Sequence, residues 1–228
     1  FESLLGDGSQ WGVNFKYKVQ PSPDGLAQAF LLGEEFIGDD PSALILGDNI
    51  FYGQGFTKSL LDAKKLVQDC NKACIFGYEV MDPERYGIAE IDSEGVVLSL
   101  EEKPEKPKSN MAVVGLYFYP KGVSKYAKSI NRSERGELEI TSLNNIYLNN
   151  QCLNLIKLGR GLAWLDTGTI DSLAEATEYV KAVQKRHGQI IACLEEIAFK
   201  KGFIDKKQLQ KLISNSGDTD YYKFLECL

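Results

Sequence analysis

Two hydrophobic periods alternate along the first half of this chain. Val13 to Val19 alternates apolar and polar residues as a strand does, Gly25 to Phe36 spaces its apolar residues as a helix does, and Ala43 to Leu46 reads as a short buried strand. Phe56 to Gln68 returns to the helical period and Ala73 to Val80 to a strand. Such alternation predicts a parallel sheet flanked by helices. The middle changes character: Tyr86 to Ile91 and Val96 to Leu100 are joined by Asp92-Ser93-Glu94-Gly95, the composition of a hairpin turn. The proline-rich Lys103 to Lys108 suits neither helix nor central strand, and Pro104 is expected to hold Lys103 extended. Ala112 to Tyr119 and Leu153 to Leu158 then read as strands, with helices over Lys121 to Ile130 and Leu138 to Asn149. From Thr169 the pattern is helical, with Thr169, Asp205 and Asp218 at capping positions. The expected organisation is a core over 1–168 with a mixed, mostly parallel sheet, and a helical region over 169–228 that serves as an oligomer or regulatory surface.

Composition narrows the class. The chain has 228 residues, 43% of them hydrophobic and 25% charged, which is ordinary for a globular protein with one large domain and an appendage. No apolar run approaches the roughly 20 residues of a membrane span, and Phe1-Glu2-Ser3-Leu4-Leu5 lacks a signal-peptide pattern, so a cytoplasmic location and no membrane partner are expected. A net charge of -6 opposes a nucleic-acid surface, which needs a basic face. The five cysteines form no Cys-x-x-Cys pair and are expected to be buried thiols rather than disulfides or zinc ligands. His187, between Arg186 and Gly188, reads as the end of a helix, not as a catalytic base.

Candidate chemistry lies where apolar runs end in acids. Leu44-Ile45-Leu46-Gly47-Asp48-Asn49 and Leu162-Ala163-Trp164-Leu165-Asp166 each deliver a carboxylate at a strand end, where α/β sheets bind ligands. Either acid alone could cap a turn. Brought together, two ionised carboxylates repel unless a cation lies between them, and magnesium suits a few carboxylates completed by water and phosphate oxygens. Gln20 to Ala29 is a stiff strand-to-helix loop, either an ordinary connection or a surface for a planar base. Glu101-Glu102-Lys103-Pro104 is either a solvated strand end or a Glu for sugar hydroxyls beside a Lys for phosphate. Gly87 and Val113-Val114-Gly115 are small or β-branched, through tight packing or to leave room for a pyranose ring.

Together these stretches resemble the glucose-1-phosphate thymidylyltransferases. The resemblance rests on Leu5-Gly6-Asp7-Gly8-Ser9-Gln10-Trp11-Gly12, Val19 to Ala29, Leu46 to Gly53, Asp82-Pro83-Glu84-Arg85-Tyr86-Gly87, Glu101 to Pro104, Gly115-Leu116-Tyr117-Phe118-Tyr119, Arg135-Gly136-Glu137-Leu138-Glu139-Ile140-Thr141 and Gly159 to Thr169. It implies a Rossmann-like α/β nucleotidyltransferase fold with helices on both faces of a mixed sheet. It also implies formation of dTDP-glucose and pyrophosphate from dTTP and glucose 1-phosphate, in dTDP-deoxysugar (rhamnose-type) biosynthesis, by a homotetramer. By the same resemblance Gln20 and Gly25 contact the thymine nucleotide, and Asp48 and Asp166 hold Mg2+. Asn49, Gly87, Glu102 and Val113 face the glucosyl part, with Lys103 at the sugar phosphate; Asp48, Lys103 and Asp166 are the catalytic set. The family's G-x-G-T-R phosphate loop has no counterpart in these residues. The chain is therefore expected to be an N-terminally truncated member, nearly inactive alone. Two competing readings are a uridylyl- or cytidylyltransferase of the same fold and a noncatalytic nucleotide-sugar-binding paralog.

Overall fold

A nine-residue strand, Met111–Tyr119, organises the larger part of the molecule. The computed structural model describes residues 1–214, 217 and 219–228. In chain order the elements are α1 (Glu2–Leu5), a 3-10 turn at Ser9–Trp11, α2 (Gln28–Leu32), α3 (Glu34–Ile37), β1 (Ser42–Ile45), β2 (Asn49–Gly53), α4 (Phe56–Cys70) and β3 (Ala73–Glu79). A second 3-10 turn at Pro83–Arg85 leads into β4 (Gly87–Ile91), β5 (Val97–Glu102), β6 (Met111–Tyr119), α5 (Val123–Ser129), α6 (Ile140–Asn149), β7 (Leu153–Lys157) and β8 (Leu162–Asp166). The chain ends through α7 (Ile170–His187), α8 (Leu194–Lys200), α9 (Lys206–Ser214) and α10 (Asp220–Glu226). Among the described residues no helix is long and apolar enough to cross a membrane.

The chain divides into two units, Gln20–Leu173 and Phe1–Val19 with Ala174–Leu228. The sequence pattern set a boundary after residue 168 and assigned the first residues to the core; in the structure residues 1–19 group with the helical region instead.

In the larger unit the sheet order is β5-β4-β6-β3-β7, with β1 on the same edge of β6 as β4. Strand β6 is apolar almost throughout because both its faces are covered. Its odd positions Met111, Tyr117 and Tyr119 join Phe30, Val123, Leu143 and Tyr147, while its even positions Val114 and Leu116 join Ala63, Phe76 and Leu162. Helices α2, α5 and α6 thus cover one face and α4 the other, the expected α/β class. The sheet is mixed, but its balance is not the mostly parallel one the alternating pattern implied. Among the described residues only β3 and β7 pair in parallel, because β6 runs against β1, β3 and β4 and the β4–β5 hairpin is antiparallel.

Several local expectations change. Residues 13–19 form no strand: Val13 and Phe15 donate their N–H groups to Gly8 and Asp7 rather than to a ladder. The Gly25 to Phe36 pattern is two short helices parted at Gly33. Strand β1 is not buried, since Ile45 stands 59% exposed. Lys103 is not extended but left-handed, at φ 42. Asp205 caps α9, whereas Asp218 lies outside the described residues and Thr219 is the cap of α10. Cys74 and Cys193 are buried as expected, but Cys70 and Cys227 are exposed, and all five cysteines are unpaired.

Candidate active site

Along one edge of β6 the ladder to β4 ends at Ala112 and the ladder to β1 at Leu116, where the Leu46 N–H still donates to the Gly115 carbonyl at 2.9 Å, so the edge opens between Ala112 and Gly115. A cleft of about 500 Å3 forms there, within the range of small-molecule sites. Its floor is Val113, Gly115 and Tyr117; around it stand Asp48 and Asn49 from the β1–β2 turn, Gly87, Glu102 and Lys103 from the hairpin, Thr141 from α6, and Trp164 and Asp166 from β8.

The two acids meet through a small sheet that the apolar pattern did not reveal. Strands β2 and β8 pair antiparallel with Asn49 opposite Asp166. The pairing is extended by Thr167, whose N–H donates to the Asp48 carbonyl at 2.8 Å. Asp48 is exposed rather than shielded from solvent, and Asp166 is half-buried. Among the described residues no third His, Cys, Asp or Glu joins them as a ligand cluster. Two hard carboxylate donors facing a solvent-open cleft fit magnesium, which keeps most of its shell as water and substrate oxygens.

The opposite side of the cleft is built around Glu102, opposite Gly87 in the β4–β5 register. The Thr141 hydroxyl donates to Glu102 Oε2, and the Arg135 guanidinium lies 3.9 Å from Oε1. Burial, first, and the neighbouring Glu139 raise the Glu102 carboxyl above the ordinary carboxylate range, against the Thr141 hydrogen bond and the charges of Lys103 and Arg135. A Cβ at Gly87 would stand 3.2 Å from both Glu102 Oε2 and Thr141 Oγ1, so the glycine leaves that oxygen pair open. The Lys103 N–H donates to the Tyr86 carbonyl at 3.0 Å, and the left-handed backbone there is a strained conformation held by the hairpin end.

Of the residues anticipated for the site, Asp48, Asn49, Gly87, Glu102, Lys103, Val113 and Asp166 all line this cleft. Gln20 and Gly25 do not. Gln20 donates to Gln28 Oε1 at 2.7 Å and to the Gly25 carbonyl at 3.3 Å. Gly25 has a packing reason of its own, since at φ 102 a Cβ would fall 2.4 Å from the Leu138 carbonyl oxygen.

Arg85, Tyr86, Tyr117, Thr141 and Trp164 also line the cleft and carried no anticipated role. Arg85 is held by Asp82 at 2.7 Å; that hydrogen bond, with the charge of Asp166 adding to it, favours the cation. Tyr86 packs edge-on against Trp164 at 5.1 Å. Burial raises the Tyr117 phenol, and the charges of Glu102 and Asp48 push the same way. Arg85 and Tyr86 sit inside the Asp82 to Gly87 run and Trp164 two residues before Asp166, which were the available signals.

Residues 1–183 match the family model described as Nucleotidyl transferase. The fold, the cleft and that match define a nucleotidyltransferase. The chain is 55% identical over 228 residues to a Xanthomonas campestris pv. campestris (strain B100) glucose-1-phosphate thymidylyltransferase, covering 100% of this chain and 76% of that protein. It is 51% identical over 225 residues to the Neisseria gonorrhoeae glucose-1-phosphate thymidylyltransferase, covering 99% of this chain and 77% of that one. A solved structure from Bacillus anthracis, described as a glucose-1-phosphate thymidylyltransferase in complex with a sucrose, aligns with TM-score 0.67 and 39% identity over 78% of this chain and 70% of its own. A UDP-glucose pyrophosphorylase complexed with UDP-glucose aligns with TM-score 0.65 and 26% identity over 74% and 67%. The chain belongs to the glucose-1-phosphate thymidylyltransferase family.

Proposed function

We propose that this cleft takes α-D-glucose 1-phosphate and dTTP and forms dTDP-glucose and pyrophosphate, the product serving dTDP-deoxysugar synthesis. The observation that supports it is the convergence of seven residues, spread from Asp48 to Asp166 in the chain, on one cleft of sugar-phosphate size. A sugar phosphate oxygen attacks the α-phosphorus of dTTP, the bond from that phosphorus to the bridging oxygen breaks, and pyrophosphate leaves in line. The attacking oxygen is already ionised near neutral pH, so no protein base is needed. Glu102 accepts sugar hydroxyls while Thr141 holds its second oxygen, and Gly87 and Val113 leave room for the ring. The Lys103 ammonium meets the sugar phosphate as a point charge, and Arg85 supplies a second cation at the same cleft. Asp48 and Asp166 would hold magnesium, which supplies charge neutralisation at the phosphates. Gln20 and Gly25 are kept as the base-side loop, and assembly as a homo-oligomer is part of this reading.

These residues contain no G-x-G-T-R segment, and a polypeptide of these residues alone is read as turning over slowly. Loss of donors at a phosphoryl centre costs about 3 kcal/mol each, by analogy with an oxyanion donor. The test therefore reads binding. Calorimetric titration with dTDP-glucose in magnesium is expected to show tighter binding than titration with UDP-glucose. Equal affinity, or a preference for UDP-glucose, would replace this reading with a uridylyltransferase of the same fold.

A further inference from the structure

The geometry points to Asn49 as a positioning residue that locks the carboxylate side of the cleft to the sugar floor, with Trp164 as its anchor. This inference rests on the assignment of Asp48 and Asp166 to a divalent cation. The Asn49 carboxamide is a three-way junction. Its Oδ1 accepts from the Gly115 N–H at 3.0 Å and from the Trp164 indole N–H at 2.7 Å, while its Nδ2 donates to Asp48 Oδ1 at 2.8 Å.

The three partners leave one orientation. Gly115 N–H and the indole are donors only, and the Asp48 carboxylate is an acceptor only. A flipped amide would face two donors with an NH2 and a carboxylate with an oxygen. Both Oδ1 lone pairs are used, so among the described residues a single Nδ2 hydrogen is left for a ligand. The junction is also sterically set: a Cβ at Gly115 would lie 2.6 Å from Asn49 Oδ1 and 2.7 Å from its Cγ, so only glycine lets the carboxamide reach the strand edge.

The arrangement is that of an outer contact that orients a metal ligand. The neutral amide fixes one oxygen of Asp48 and aims the carboxylate without adding charge. Trp164 touches neither acid through a hydrogen bond, but its N–H holds the amide that does, and its ring packs on Tyr86 of the sugar side.

The test is Mn2+ binding without substrate, followed by the loss of the free-ion electron paramagnetic resonance signal, in N49A, W164F and the N49A/W164F double variant. W164F keeps an aromatic ring and deletes the donor. Thermal melts confirm that each variant folds. Both single variants are expected to weaken Mn2+ binding by about tenfold or more. The double variant is expected to be no worse than N49A alone, because both substitutions break one chain of contacts. Unchanged Mn2+ affinity in W164F, or additive losses, would overturn the inference. Parallel titrations of D48N and D166N separate the two levels: if they bind Mn2+ as the parent does, the cation assignment itself fails and this inference with it. If they lose binding while N49A and W164F keep it, only the junction fails.

Discussion

Glu102 is a cleft carboxylate whose protonation the fold shifts. Burial raises its carboxyl above the ordinary range, and the groups facing it are Thr141 and Glu139 from the α6 side and Lys103 and Arg135 as cations. A raised carboxyl takes up its proton at a higher pH than an exposed acid, so on acidification Glu102 loses its acceptor character early. The same sign means that its ionised form costs folding stability at neutral pH, a cost relieved as the pH falls through the raised value. Affinity for dTDP-glucose is therefore expected to weaken on the acid side before the exposed carboxylates titrate. A calorimetric pH series of the dTDP-glucose Kd should show that acid limb in the parent and lose it in E102Q, whose Kd stays near the parent's acid-side value. An identical limb in E102Q would assign it to another group. Asp48 and Asp166 were legible in the sequence because each ends an apolar run abruptly. Thr141 and Arg85 were not, since what gives them a role is a partner brought close only by the fold: Glu102 for Thr141, and Asp166 together with the cleft for Arg85.

At the scale of elements, local chemistry explains most of what the sequence pattern found. Helix α9 opens with a reciprocal cap, in which Gln208 N–H donates to Asp205 Oδ1 and Asp205 N–H to Gln208 Oε1, both at 2.8 Å. Asp205→Ala removes one half of that exchange and is expected to cost about 1 kcal/mol, lowering the melting temperature of the unit that contains it by a few degrees. A calorimetric melt with no shift would mean that the cap contributes nothing net. Strands β3 and β6 and helix α4 were found because their apolar period is long and uninterrupted. The pattern fell short where two elements share one apolar run: Ala43 to Leu46 read as a strand, but Asn49–Gly53, reached through a turn at 46–48, was not read as a second strand and lies in another sheet. It failed at Val13 to Val19 for the opposite reason. Alternation is necessary for a half-buried strand but does not supply the ladder partner, and the N–H groups of Val13 and Phe15 are satisfied locally.

At the scale of the molecule, the two units have separate cores, and that separation is testable. In the smaller unit Ala198, Ile204 and Leu209 pack with Trp11, Phe199, Leu212, Ile213 and Leu228. The grouping of residues 1–19 with the tail could not be read along the chain, because it depends on contacts such as the Trp11 indole donating to Glu195 Oε1 at 3.2 Å. The cleft, in contrast, is lined only by residues between Leu26 and Thr169 of the larger unit. Leu209 is 3% exposed, and Leu209→Ala is expected to cost about 2–5 kcal/mol of the smaller unit's stability. A ligand held wholly by the larger unit acts on the other side of the division: dTDP-glucose at about 100 times its Kd stabilises by about 2.7 kcal/mol whatever it binds. Differential scanning calorimetry should therefore resolve two responses, a transition lowered by Leu209→Ala and a different one raised by dTDP-glucose, with the affinity of the Leu209→Ala variant for dTDP-glucose within about twofold of the parent's, since the core that holds Leu209 contains none of the residues that line the cleft. A single transition moved by both would mean that the units unfold as one cooperative body, and the small core would then be part of what holds the cleft in shape.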